Sequence, residues 1–434
     1  MREVYSADWV LPVDGAPIER GGVAVENGWI VAVCPAAELV GRVDHVGEAV
    51  IVPGLVNAHT HLEYAVYAGF GDGLPFDRWL ALHMSRKRRL DWEDTLAVAR
   101  LGAAESLASG VTTVADASFS GAAAIAADEL GLRAIVHLEV FGQGTEEIDE
   151  RFAVNRERVA HALSDRVRLG ISPHAPYTAS PALYRACLEL GLPLATHLAE
   201  SDAENEWLLH GGGPWAELAG LLLPPLGETG VRALAREGLL TDAIVAAHCV
   251  RVDAEEIALL ARHDVAVAHC PRSNALLGCG IAPVAELRRA GVRVGLGTDS
   301  PASTPSFDMF DEMRAAIALA RAGASQSVAL SAREALHLAT LGSAEALRLD
   351  GEVGSLTPGK RADLAIVSLA GSPYLPWEDP EVAVVFGGTP ERVCRTIVDG
   401  VTRSTRGGSE WHELRLAAAS VRGRMLAQSR QSRG

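Results

Sequence analysis

The chain has no long apolar run, almost no lysine and no paired-cysteine motif, and each shortage removes a class of function. No apolar stretch approaches the roughly 18 uninterrupted residues that a membrane span needs, so no membrane partner is expected. The opening MREVYSADWVLPVDG carries Arg2, Glu3, Asp8 and Asp14 and has neither the basic region nor the apolar core of a secretory leader, which points to a cytoplasmic protein. Six cysteines (Cys34, Cys187, Cys249, Cys270, Cys279 and Cys394) lie scattered without a CxxC, the usage of reduced thiols rather than of a disulfide framework. Positive charge is also short. The net charge is −16 and the only basic cluster is Arg86-Lys87-Arg88-Arg89, so nucleic acid is not an expected partner. The only lysines are Lys87 and Lys360.

What is present is a chain of 434 residues, 48% apolar, enough for one large unit and a smaller one. Between residues 53 and 345, short β-branched or apolar runs alternate with Ala/Leu-rich helical stretches, the pattern of repeated βα units around a parallel sheet. Eight such runs occur, at 55–61, 111–116, 132–142, 167–174, 192–200, 243–250, 265–270 and 292–299. Nearly every run ends in a polar residue suited to catalysis, and barrel active sites sit at the C-terminal strand ends. The expected fold is therefore α/β, a (β/α)8 TIM barrel over 53–345. Residues 1–52 and 346–409 are short alternating strands with Gly and Asp turns, read as one small β-sandwich built from both termini. Residues 410–434 have helical spacing and close on a polar Ser/Arg/Gln segment expected to fray.

His59-x-His61 closes the first run, and side chains two apart on a strand point the same way, so both imidazoles can face one metal ion. An HxH alone is weak evidence. Its weight comes from His197 after the fifth run, His248 after the sixth and Asp299 after the eighth, which place five potential ligands at one end of the barrel. His137, inside the third run, reads as a neutral, hydrogen-bonded core histidine, and His263 and His269 read similarly. His45, His83, His161, His210, His337 and His412 carry no motif.

PGLVNAHTHLE at 53–63, SPHAPYT at 172–178, HLAES at 197–201, AAHCV at 246–250, HCPRSN at 269–274, GLGTDSPAS at 295–303 and EVGSLTPGKRADLAIV at 352–367 follow one another in order. This series resembles the amidohydrolase superfamily, in the cytosine and adenosine deaminase-like branch that includes S-adenosylhomocysteine/methylthioadenosine deaminases and chlorohydrolases. Binuclear members of the superfamily bridge their metals through a carboxylated lysine on a barrel strand, and neither lysine here lies on one. The resemblance therefore implies a single divalent ion held by His59, His61, His197 and Asp299. Zinc is the default, although nitrogen and oxygen ligands also accept Fe2+, manganese or cobalt. It further implies Glu200 as proton shuttle, His248 as the group that polarises the attacking hydroxide or steadies the oxyanion, and Asp299 as both ligand and proton acceptor. His174 would touch the heterocycle. Trp79, in LPFDRWL, is placed on the pocket wall, while its helical position suits a core role equally well. Cys270 reads as a small buried residue.

The expected substrate is a small aminopurine-like molecule, and self-association into a homo-oligomer is compatible with these features. Adenosylhomocysteine deaminases carry a ribose-binding glutamate nine residues beyond the tryptophan matching Trp79, where this chain has Arg88. Glu63, extending HTHLE, and the following GDGLPFDRWL resemble instead the aminodeoxyfutalosine deaminases of the alternative menaquinone pathway. That substrate bears a benzoate, for which Arg86, Arg88 or Arg89 would be a chemically sensible partner. A solvated basic helix face explains them equally well, and Arg151 and Arg158 are rival anion binders. The expectation is thus a deaminase of an aminopurine nucleoside, aminodeoxyfutalosine included, with an adenosine-type deaminase, a chlorohydrolase or another heterocycle amidohydrolase as alternatives. A catalytically dead scaffold would lack ligands, and none is missing.

Overall fold

The computed structural model describes residues 2–405 and 410–431. Eight parallel strands, each hydrogen-bonded to the next, run as β1 (Leu55–Thr60), β2 (Val111–Ser118), β3 (Arg133–Val140), β4 (Val167–Pro173), β5 (Leu194–Leu198), β6 (Ile244–His248), β7 (Ala266–His269) and β8 (Val294–Leu296). All eight expected runs are strands, shortened or lengthened by a few residues at their ends. A parallel bridge between Thr60 and Asp299 and a hydrogen bond from Asp299 N to His59 O at 3.0 Å join the first strand to the last and close the ring. Closure demands a close approach there. A Cβ at Gly297 would lie 2.9 Å from the backbone of His59, which only glycine avoids. Within the ring Val56, Ala58, Ala115, Ile135, Val245, Ala266 and Ala268 pack with Ala344, Leu347, Leu349 and Val353, so the barrel is filled rather than hollow at this level.

Two mixed sheets flank the barrel. Glu3–Ser6, Gly21–Glu26, Trp29–Pro35 and Arg42–His45 form one. In the other, Leu364–Ser368 runs antiparallel to Ala49–Pro53, so the two ends of the chain share a sheet. Tyr5, Val23 and Ile30 from the first sheet and Ile51, Leu364 and Ile397 from the second form one buried cluster. A buried ion pair fastens this layer to the barrel: Arg133 on β3 donates to Asp363 at 2.9 Å and to Asp399 at 2.6 Å.

Two helices follow β1, α1 (Phe76–Lys87) and α2 (Trp92–Ala108), and the Asp91 carboxylate caps α2 by accepting from Asp94 N at 2.9 Å. The C-terminal helix α3 (Glu410–Gln431) lays Ala418, Val421 and Met425 into the core, and Arg422 donates to Ala68 O at 3.0 Å. Residues 432–434, part of the segment expected to fray, lie outside the described residues, as do residues 406–409. No helix among the described residues is long and apolar enough to cross a membrane. All six cysteines are free.

Candidate active site

The C-terminal ends of β1, β5 and β6 and the loop after β8 bring His59, His61, His197, His248 and Asp299 together. Their hydrogen bonds assign the protons. His61 Nδ1 lies 2.7 Å from Ala117 O and His197 Nδ1 lies 3.0 Å from His174 O. Carbonyls only accept, so both Nδ1 atoms carry the hydrogen and both Nε2 atoms present lone pairs. Those two Nε2 atoms face each other at 3.3 Å. His59 Nε2 is buried and has no hydrogen-bond partner among the described residues. Lone pairs converging in a buried site repel unless a cation lies between them, and the donor atoms of the three histidines all fall within 4.8 Å of one another.

Asp299 completes the set. Its Oδ1 lies 3.4 Å from His61 Nε2 and 3.7 Å from His59 Nε2, while Oδ2 accepts from Ser273 Oγ at 2.7 Å and Ser303 Oγ at 2.6 Å. One oxygen is thereby oriented and the other left for an ion. Burial alone would raise the Asp299 carboxyl, but His61, His248 and the two serine hydroxyls hold it below its ordinary value. Burial, then His197 and His61, hold His59 well below the usual histidine range, in the neutral form that ligates metal. The cluster fits a single divalent ion, and its nitrogen and oxygen donors suit zinc.

Glu200 stands beside this cluster on the turn after β5. That turn is strained at Ala199 (φ 53°) and is held by Glu204, whose carboxylate accepts from Ala199 N at 2.9 Å and Glu200 N at 2.7 Å. Burial and the Asp299 carboxylate push Glu200 up to about 8. His248 donates from Nδ1 to Asn274 Oδ1 at 2.9 Å, which aims Nε2 at Glu200 Oε1, 3.8 Å away. The HCPRSN segment thus works through Ser273 and Asn274 as well, and the helix after HLAES through Glu204, residues to which the sequence reading assigned no role.

Above the cluster opens a cavity of about 650 Å3. His174 lines it, held through Nδ1 by Thr178 Oγ1 at 2.8 Å. Trp79 lines it too, tied through Nε1 to Ala302 O at 3.0 Å and stacked on His83 with centroids 5.4 Å apart. Trp79, His83 and Lys87 are spaced four apart on α1 and form its inward stripe. The sequence reading passed over His83 and Lys87, and that spacing is the signal that finds them. It also passed over Glu139, two residues beyond His137 on the same face of β3 and nearer the catalytic end. His137 itself is buried and held at about 4 by that burial, a neutral core imidazole.

The basic residues separate. Arg88 is exposed and lines the cavity together with Glu147. Arg86 lies over Phe70 at 3.5 Å, Arg151 over Phe119 at 3.9 Å and Arg158 over Trp92 at 4.7 Å, and none of the three lines this cavity. Glu63 is likewise off its wall. It lines a side chamber of about 170 Å3, where it accepts from Ser120 Oγ at 2.8 Å and from Ser118 Oγ.

The amidohydrolase family model matches residues 50–403. The chain is 35% identical over 411 residues to a 5-methylthioadenosine/S-adenosylhomocysteine deaminase of Moorella thermoacetica, covering 92% of this chain and 93% of that one. It is 35% identical over 401 residues to a 5′-deoxyadenosine deaminase of Methanothermobacter thermautotrophicus, covering 89% and 90%. An adenosine deaminase from Xanthomonas campestris, whose crystal structure has bound zinc, superposes with a TM-score of 0.87 at 29% identity over 98% of each chain. With a metal cluster at the strand ends and these matches along nearly its whole length, the chain belongs to the amidohydrolase family, in its deaminase-like branch, and is a metal-dependent hydrolase of C–N bonds.

Proposed function

We propose that this deaminase acts on a 6-aminopurine nucleoside of the methylthioadenosine, adenosylhomocysteine or 5′-deoxyadenosine kind. The observation that carries the reading is Glu200 placed beside both His248 and the metal cluster, at the base of a cavity large enough for a nucleoside. His59, His61, His197 and Asp299 hold the ion, which when bound supplies the Lewis acidity that makes water a nucleophile near neutral pH. Glu200 carries both protons of the attacking water in turn, one to ring N1 as the oxygen bonds to C6 and the other to the departing amine. The C6–N bond breaks and ammonia leaves. His248, fixed by Asn274, orients the incoming water through Nε2. His174 faces the heterocycle, while Trp79, Phe141 and Tyr177 keep bulk water from the reacting atoms.

Arg88 and Glu147 on the cavity lining suit the carboxylate and ammonium of an amino-acid tail at C5′. Arg88 also favours a second reading, a nucleoside with a remote carboxylate such as aminodeoxyfutalosine. That reading has lost one of its supports, because Glu63 is off the cavity wall, and the similar deaminases carry adenosine-type names. A coupled ammonia assay across adenosine, 5′-deoxyadenosine, methylthioadenosine, adenosylhomocysteine, aminodeoxyfutalosine and guanine tests both. Release from an adenosine-type nucleoside is the expected result, and release from guanine alone overturns it.

A further inference from the structure

A buried carboxylate on the cavity wall is left without a direct partner. Glu139, at the end of β3, has a side chain only 3% exposed. The nearest charge is Lys87 Nζ, 3.8 Å from Oε2, beyond hydrogen-bond distance. Among the described residues no protein donor reaches either carboxylate oxygen within that distance. The ammonium of Lys87 is occupied elsewhere: it donates to Tyr64 Oη and lies 3.4 Å from the centroid of Phe119. Lys87 therefore balances the charge of Glu139 without filling its lone pairs, and with Glu139 beside it the ammonium is a poor receptor for a substrate anion.

Glu139 also lies within 4.8 Å of the nearest ligand atoms of His174 and His197, so it borders the place where the heterocycle must sit. A carboxylate so placed, facing the cavity with no protein donor on its oxygens, can accept hydrogen bonds from whatever enters. A 6-aminopurine offers few. Ring atoms N1, N3 and N7 are acceptors, and the one amino group is the group that leaves. On a nucleoside the remaining donors are the sugar hydroxyls, and two vicinal hydroxyls match the two oxygens of one carboxylate.

From this geometry we infer that Glu139 is a specificity-determining residue that reads the vicinal hydroxyls of the substrate's sugar, with Lys87 as its half-buried counterion. The inference rests on the nucleoside reading above and sharpens it: the enzyme selects a nucleoside carrying both the 2′- and 3′-hydroxyls over a 2′,3′-dideoxynucleoside or a free base.

The test compares adenosine with 2′,3′-dideoxyadenosine in the metal-loaded enzyme, by kcat/KM from ammonia release, and inosine with 2′,3′-dideoxyinosine by calorimetric binding. Charge-assisted hydrogen bonds to the diol should give the wild type about a 10- to 150-fold preference for the hydroxylated member of each pair. In Glu139→Gln both ratios should fall to less than about threefold. Because that change strands Lys87, the double variant Glu139→Gln/Lys87→Met, which removes both charges, should show the same collapse with unaltered metal content. Equal losses on both nucleosides in either variant, or a wild type indifferent to the diol, would overturn the assignment and leave the deaminase standing. If the wild type releases ammonia from neither nucleoside, the deaminase reading fails and this assignment fails with it.

Discussion

Replacing Glu204 by Gln should weaken the fold and the chemistry together, because its two carboxylate oxygens accept from Ala199 N and Glu200 N in the turn that aims Glu200. An amide keeps the volume and one acceptor but turns an NH2 toward the second backbone N–H. One hydrogen bond is lost and one buried donor is stranded, a cost of about 1–3 kcal/mol. The turn resists relaxation, since Ala199 already sits at φ 53°. Part of that cost should reappear as a displaced Glu200, and a displacement near 1 Å at a reacting group lowers turnover by about 100-fold. Urea unfolding and ammonia release measured on the same metal-loaded preparation separate the two effects. The exposed Glu206→Gln serves as control. A Glu204→Gln protein with the unfolding midpoint and turnover of the control would refute the argument that this carboxylate holds the turn.

Glu200→Gln should keep metal content and unfolding midpoint while lowering turnover by about 100-fold or more, the usual contribution of a general acid/base; a metal-loaded variant of near-normal activity would remove Glu200 from the reaction. Elemental analysis should return about one divalent ion per chain, since His59, His61, His197 and Asp299 surround one position and Lys87 is engaged by Tyr64 and Phe119; two tightly held ions would contradict it. His137, His83 and His269 are held by burial at about 4, about 3 and about 3. The unfolded chain therefore binds protons below about pH 6.5 that the folded chain does not, and stability falls as the pH drops from there, by up to about 1.4 kcal/mol per pH unit for each histidine. His137→Leu should shallow the fall between pH 6 and pH 5 by about one such increment in urea midpoints converted to free energy, and an unchanged slope would show that His137 takes up its proton in the folded state.

The eight βα units and the HxH were legible in the chain itself, because side-chain alternation along strands and helices is a local property that burial imposes on neighbouring residues. His197, Glu200, His248 and Asp299 could be grouped in advance for a related reason: a barrel delivers successive strand ends to one rim, so residues far apart in sequence share a destination known from topology alone. Which side chains turn into the cavity is a different matter. His83 and Lys87 come from a helix whose inward stripe depends on how α1 packs, and Glu139 follows a histidine that drew the attention of a motif-based reading. Glu63 sits beside the HxH in sequence yet faces a separate chamber, because the chain turns directly after His61 and hands its carboxylate to Ser118 and Ser120. Proton placement was likewise beyond the sequence. The acceptors that settle it are the carbonyls of Ala117 and His174 and the side-chain oxygen of Asn274, and only the closed barrel sets them against His61, His197 and His248. Residue types and their order along the chain thus determined the fold class and the metal-binding chemistry, while long-range packing decided which charges are paired, which are buried and which remain open to a substrate.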